Sequence, residues 1–176
     1  MLILAIVFLI LSLVLLFFAG RFSAIQDTVK HHFTESIFHQ PGTTKKKFGF
    51  DWNWWYASSW KNKWMLDENG NVLIDPKTGK RVPRTTKFLF FKWQFVQIYD
   101  AWHYYKMLKI GFNIIADVTA SVAAVFLFVA ASPSIVAWII MAIIYFIVQA
   151  IIWNFSFNSH YDNWLLKEDS ILRIEN

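Results

Sequence analysis

From Leu2 to Ala19 every position is apolar except Ser12. As a helix rising 1.5 Å per residue, this run covers about 27 Å, close to the ~30 Å hydrocarbon core of a bilayer. Nothing basic precedes it, and it exceeds the apolar core of a cleaved signal peptide, so an uncleaved anchor is expected. Ile110–Ala131 and Ile135–Phe155 are two further runs of spanning length, with Ser132-Pro133-Ser134 between them. Proline ends the first of the pair, and so short a link predicts an antiparallel helical hairpin. Lys87–Lys106 is also long enough to span, but it carries Lys92, Gln94, Gln97, Asp100 and His103. No turn residue parts it from the next run, so one long helix entering the membrane near Met107 is the simpler expectation.

Polar segments join these runs. Arg21–Phe38 lacks glycine and proline and is expected to continue the first helix, until Pro41-Gly42 breaks it. In Asp51–Trp64, Trp52, Tyr56, Trp60 and Trp64 recur every four residues, which suits an interfacial helix with one aromatic face. Asn69-Gly70 and Asp75-Pro76-Lys77-Thr78-Gly79 are turn signals enclosing Val72-Leu73-Ile74, which predicts a small β-meander. Its aspartates do not complete a calcium loop of the EF-hand type, because Thr78 stands where the twelfth-position glutamate belongs. The expected fold class is an all-α membrane protein with three transmembrane helices, long cytoplasmic helix extensions and a small β-meander in the cytoplasmic loop. It divides into an anchor helix with its extension (1–38), a basic Trp-rich loop (39–86), a long helix plus transmembrane hairpin (87–160) and a tail (161–176).

Composition agrees and adds an orientation. Hydrophobic residues are 56% and charged residues 16% of the chain, against about 45–50% and about 25% in soluble domains. Ten tryptophans suit membrane boundaries, where an apolar ring with a polar tip is at home. The absence of cysteine excludes disulfides, thiolate zinc sites and cysteine nucleophiles. Fourteen of the seventeen basic residues lie between Arg21 and Lys106. By the positive-inside rule the N-terminus and the Ser-Pro-Ser turn face outward, and the central segment and C-terminus are cytoplasmic. Lys45–Lys47 is expected to attract anionic headgroups, at about 1 kcal/mol per charge near the surface. No recognition motif accompanies it, so nucleic acid is not an expected partner.

Ser36-Ile37-Phe38, Ser59–Trp64 ("SWKNKW") and Asp100–His103 ("DAWH"), in that order after an N-terminal anchor, carry a resemblance. The chain resembles a group of small bacterial integral membrane proteins of no known activity. The likeness covers roughly the first 110 of 176 residues, and the turn-rich stretch after Trp64 is longer here than in that group. The resemblance implies a bacterial inner (cytoplasmic) membrane and contributes no activity.

Candidate chemistry collects in two places. On a helix Asp100, His103, Lys106, Asn113, Asp117 and Ser121 fall on or near one face. Asp117 would lie about 15 Å deep, where an ionisable group costs about 2.5–3.5 kcal/mol on insertion scales. The stripe must therefore face protein or water, with Gln149, Asn154 and Asn158 of the third span as its expected partners. The second place is the cytoplasmic boundary, where the threading brings His31 and His32, Asp100 and His103, and His160 with Asp162. Imidazole and carboxylate suit zinc, iron or manganese, so a divalent metal is the one cofactor to consider. The competing reading is that these groups cap helices and orient one another. No HExxH, serine triad, phosphate loop or paired-glutamate motif is present.

Three functional readings follow. The leading one is an integral membrane structural or interaction protein, self-associating through polar and aromatic surfaces. The first alternative is an interfacial metal-dependent enzyme acting on a lipid-borne substrate. The second is a proton or ion conduit along the Asp117 stripe.

Overall fold

The computed structural model describes residues 1–39, 50, 52–56, 61, 63–88, 91–93, 100–161 and 165, with main chain alone for 52–53, 86–88 and 91–93. In chain order the elements are α1 (Leu2–His31), a 3₁₀ turn (Phe33–Glu35), α2 (Trp52–Trp55), β1 (Thr86–Phe88), β2 (Phe91–Trp93), α3 (Ala101–Ala131) and α4 (Ile135–His160). α1, α3 and α4 are long and apolar enough to cross a membrane. Their large side chains are widely exposed, Ile139, Ile143 and Phe146 of α4 among them. Such a surface is stable against lipid and would aggregate in water.

The chain forms two compact units, one of residues 1–24 and 108–164, the other of 25–107 and 165–176. The first is the helix bundle. With lipid outside there is no hydrophobic gain in joining helices, so close packing and hydrogen bonds must hold them. The buried positions of α1 here are mostly small: Ala5, Ser12, Leu16, Ala19 and Ser23 follow steps of seven, four, three and four. α3 answers with Ala116, Thr119 and Ala123, and α4 with Ser156. α1 and α4 approach closely at Gly20, where an added Cβ would stand 2.9 Å from the Trp153 carbonyl oxygen and 3.0 Å from the Ser156 Cβ. Ser156 Oγ also donates to the Phe17 carbonyl. Phe8 stacks on Phe126 at 5.6 Å, and Phe22 meets Phe112 edge-on at 5.0 Å. The link between α3 and α4 is as short as Ser132-Pro133-Ser134 implies. Ser132 takes the left-handed conformation that closes a helix (φ 40°), and the Ser134 hydroxyl caps α4 by accepting the Ala137 N–H.

The second unit has an aromatic core. Trp55 is fully buried and stacks on Phe38 at 4.1 Å, with Tyr105 on it at 5.7 Å. Phe50 stacks on Trp54 at 3.8 Å, and Tyr104 closes on Trp54 at 5.6 Å. The helix expected to run on to Phe38 instead ends at His31, where Lys30 and His31 complement its dipole. The Ser36 hydroxyl then donates to the Phe33 carbonyl and accepts the Phe38 N–H, which turns the Phe38 ring into the core. The Ile37 N–H donates to the Leu165 carbonyl at 2.9 Å.

Three further expectations need correction. The long helix foreseen from Lys87 begins only at Ala101, and Thr86–Phe88 pairs antiparallel with Phe91–Trp93. The strand Val72–Ile74 joins no ladder. It takes part in isolated bridges, Leu66 with Val72 and Ile74 with Arg81, while Trp64 bridges Pro83. Three main-chain bonds close these segments into a ring: Met65 N–H to Val82, Val82 N–H to Leu73, and Leu73 N–H to Met65. The turns between them are held by Asp67 and Asp75, each pushed below the ordinary carboxylate value by backbone N–H groups it accepts, foremost those of Asn71 and Lys77. The aromatic stripe on Trp52, Tyr56, Trp60 and Trp64 does not form one described helix. α2 covers Trp52–Trp55 alone, Trp64 lies in the ring, and Trp60 falls outside the described residues.

Candidate functional site

Asp100 and His103 form a cap. The Asp100 carbonyl accepts the Tyr104 N–H, the first bond of α3. Its carboxylate accepts the His103 N–H at 2.9 Å through Oδ1 and the His103 Nδ1–H at 2.7 Å through Oδ2. An N-cap side chain bonding the third residue of a helix is the arrangement that satisfies one of the orphan donors there. Using the second oxygen for the imidazole fixes that ring with its hydrogen on Nδ1. Asp100 has no exposed surface, which makes both bonds strong and the loss of either costly. The His103 ring stands edge-on to Trp102 at 4.8 Å, and the Lys106 ammonium lies over the same indole at 4.8 Å. The pair that the sequence offers as a metal or catalytic candidate is thus occupied in starting a helix.

His31 Nε2 lies 4.0 Å from Asp27 Oδ1 with both side chains about half exposed, and the His31 and His32 rings are 6.3 Å apart. His160 ends α4 and belongs to the bundle unit, whereas the other four candidates belong to the second unit. Among the described residues no three His, Asp or Glu side chains gather closely enough to hold a metal ion. Asp162 and the Lys45–Lys47 run lie outside the described residues.

The intramembrane stripe is rearranged relative to expectation. Ser121 Oγ donates to the Asp117 main-chain carbonyl one turn back and not to its carboxylate. Asn158 and Asn154 of α4 bond each other at 2.7 Å instead of reaching Asn113. Asp117, Ser121, Tyr145 and Gln149 line one cleft of about 810 Å³ within the bundle.

Ser12, the one polar residue of the first apolar run, is a junction that the sequence pattern alone does not assign. Its hydroxyl donates to the Ala116 carbonyl at 2.9 Å and pairs with the Tyr145 hydroxyl at 2.8 Å. One buried serine thereby joins α1 to both other spans. A lone serine in an otherwise apolar run was the available signal.

No protein-family model matches this chain, and no curated protein or solved structure matches it.

Proposed function

We propose that the protein is an integral membrane protein of structural or interaction type that self-associates in a bacterial cytoplasmic membrane. Its N-terminus and Ser132–Ser134 turn face outward, and its aromatic unit, with the ring of short extended segments, faces the cytoplasm. One observation carries the reading: the polar and aromatic residues of the second unit are spent on holding one another. Asp100 caps α3 and clamps His103, and Trp55 is sealed between Phe38 and Tyr105. A group so committed is unsuited to a changing bond and well suited to a rigid platform. The outward face of α4, with Ile139, Ile143 and Phe146, is open to a second copy as it is to lipid.

The chain has no native cysteine, so single introduced ones report cleanly. Ser132→Cys should react with an impermeant thiol reagent from outside, and Thr78→Cys only once the membrane is opened. Ile143→Cys should oxidise to a disulfide-linked dimer in native membranes. A monomer under oxidation sinks self-association, and reversed labelling sinks the threading. A stoichiometric metal lost on His103→Ala would replace the proposal with the interfacial metalloenzyme.

A further inference from the structure

The cleft in the helix bundle lies between α1, α3 and α4. It runs from the level of Leu2, Leu127 and Trp138 to that of Leu13, Asp117 and Gln149. Ten residues of α3, from Leu127 back to Asp117, set its length at about 15 Å. Its volume of about 810 Å³ is within the usual range for small-molecule sites, roughly 300–1,000 Å³, and its walls are mostly apolar. Apart from the Trp138 indole, its polar groups, on Asp117, Ser121, Tyr145 and Gln149, sit toward the end away from Leu2.

The hydrogen-bond roles of those groups can be assigned. Ser12 has one hydroxyl proton, and it is given to the Ala116 carbonyl. The bond between Ser12 and Tyr145 is therefore donated by Tyr145, which leaves the phenolic lone pairs toward the cleft. Ser121 likewise spends its proton on the Asp117 carbonyl and keeps its lone pairs. The Asp117 carboxyl group has no hydrogen-bond or ion-pair partner among the described residues. At this end the Gln149 amide supplies donors; the other donor on the lining, the Trp138 indole N–H, lies at the opposite end. An apolar tube ending in a carboxylate and two hydroxyl acceptors is complementary to an apolar chain with a cationic, hydrogen-bond-donating head.

We propose that this cleft binds a membrane-soluble amphiphile, one apolar chain bearing a protonated amine, with the ammonium on Asp117 and the chain along α1 toward Leu2. The occupant offsets what Asp117 otherwise costs: a carboxylate at this depth is unfavourable without a counter-charge. A second copy of the chain is the poorer occupant, because its spanning segments carry no lysine or arginine at that depth. The inference does not rest on self-association or on the threading.

The test uses photoactivatable diazirine analogues of dodecylamine, dodecanol and dodecanoic acid. Each is applied at pH 7 to the full chain in nanodiscs of zwitterionic lipid, and labelled peptides are located by mass spectrometry. The amine should label cleft residues at least tenfold more than the alcohol or the acid. Asp117→Asn, which keeps the size and polarity of the side chain, should remove that preference. Ala124→Trp, which narrows the cleft and leaves Asp117 in place, should reduce labelling by all three probes. Equal labelling by the three probes would mean that bulk lipid fills the cleft and would overturn the proposal. So would a preference for the alcohol or the acid, or amine labelling that persists in Asp117→Asn. Exclusion of every probe, with cross-links to a second copy, would assign the space to a helix instead.

Discussion

Replacing Asp100 by alanine removes two bonds at once. Loss of an N-cap costs about 1 kcal/mol, within a range of roughly 0.5–2. Loss of a hydrogen bond from a charged group costs about 1.5–3 kcal/mol. The carboxylate has no exposed surface, so water does not replace either bond. Against this, alanine also abolishes the desolvation cost of a buried charge, which pulls the sum downward. The net expectation for Asp100→Ala is about 2–3 kcal/mol, or roughly 30- to 150-fold in the unfolding equilibrium.

Asp100→Asn separates the two contributions. Asparagine caps helices as well as aspartate does, so its oxygen keeps the His103 N–H. Its amide can donate to His103 Nδ1 once the ring's hydrogen moves to Nε2. The loss should be about 1 kcal/mol or less, because charge assistance alone is gone. Reversible unfolding in mixed micelles with added SDS, followed by near-ultraviolet circular dichroism of the tryptophans, reads both variants. His103→Ala, which leaves the cap intact, should fall between them. Equal losses for alanine and asparagine, or an alanine loss under ~0.5 kcal/mol, would refute the capping argument. Asp100 would then owe its buried place beside His103 to something other than the start of α3.

The helix bundle supplies two further predictions. Ser12→Ala should cost about 1 kcal/mol and Tyr145→Phe about 0.6, with the double variant costing less than their sum, since hydrogen bonds between membrane helices average ~0.6 kcal/mol. Strict additivity in the same unfolding assay would show that the pair is not coupled. Gly20→Ala gains up to ~1 kcal/mol in helix propensity but forces a methyl to 2.9 Å from the Trp153 carbonyl oxygen. Overpacking of about 1–3 kcal/mol should win, and a Gly20→Ala protein as stable as the parent would refute that approach of α1 to α4.

The spans were legible because length and apolar composition are enough to mark them, and the structure returns three at the positions read. The start of α3 is legible too, at Ala101 and not at Lys87. Lys87–Lys106 contains no glycine or proline, and that absence suggested continuity, whereas an aspartate just before a long apolar run is a positive start signal. Asp100 is that residue, and the histidine three positions on is the one it holds. A cap that is present decides the start of this helix over a helix breaker that is absent.

What could not be read is which face of each span meets the others. In a soluble helix the apolar stripe points to the core, but α1 and α4 are apolar all round, so their periodicity carries no facing information. The information resides in the exceptions. Ser12 reaches partners 104 and 133 residues away. Gly20 and Ser156 meet where the backbones of α1 and α4 run close together. Ala116 lies buried under Ser12 while Asp117, next to it, turns into the cleft. Each was visible as a small or polar residue in a greasy run, and none named its partner. In a lipid solvent, bulk apolar side chains place the helix in the membrane, and the few small or hydroxylated positions determine its neighbours.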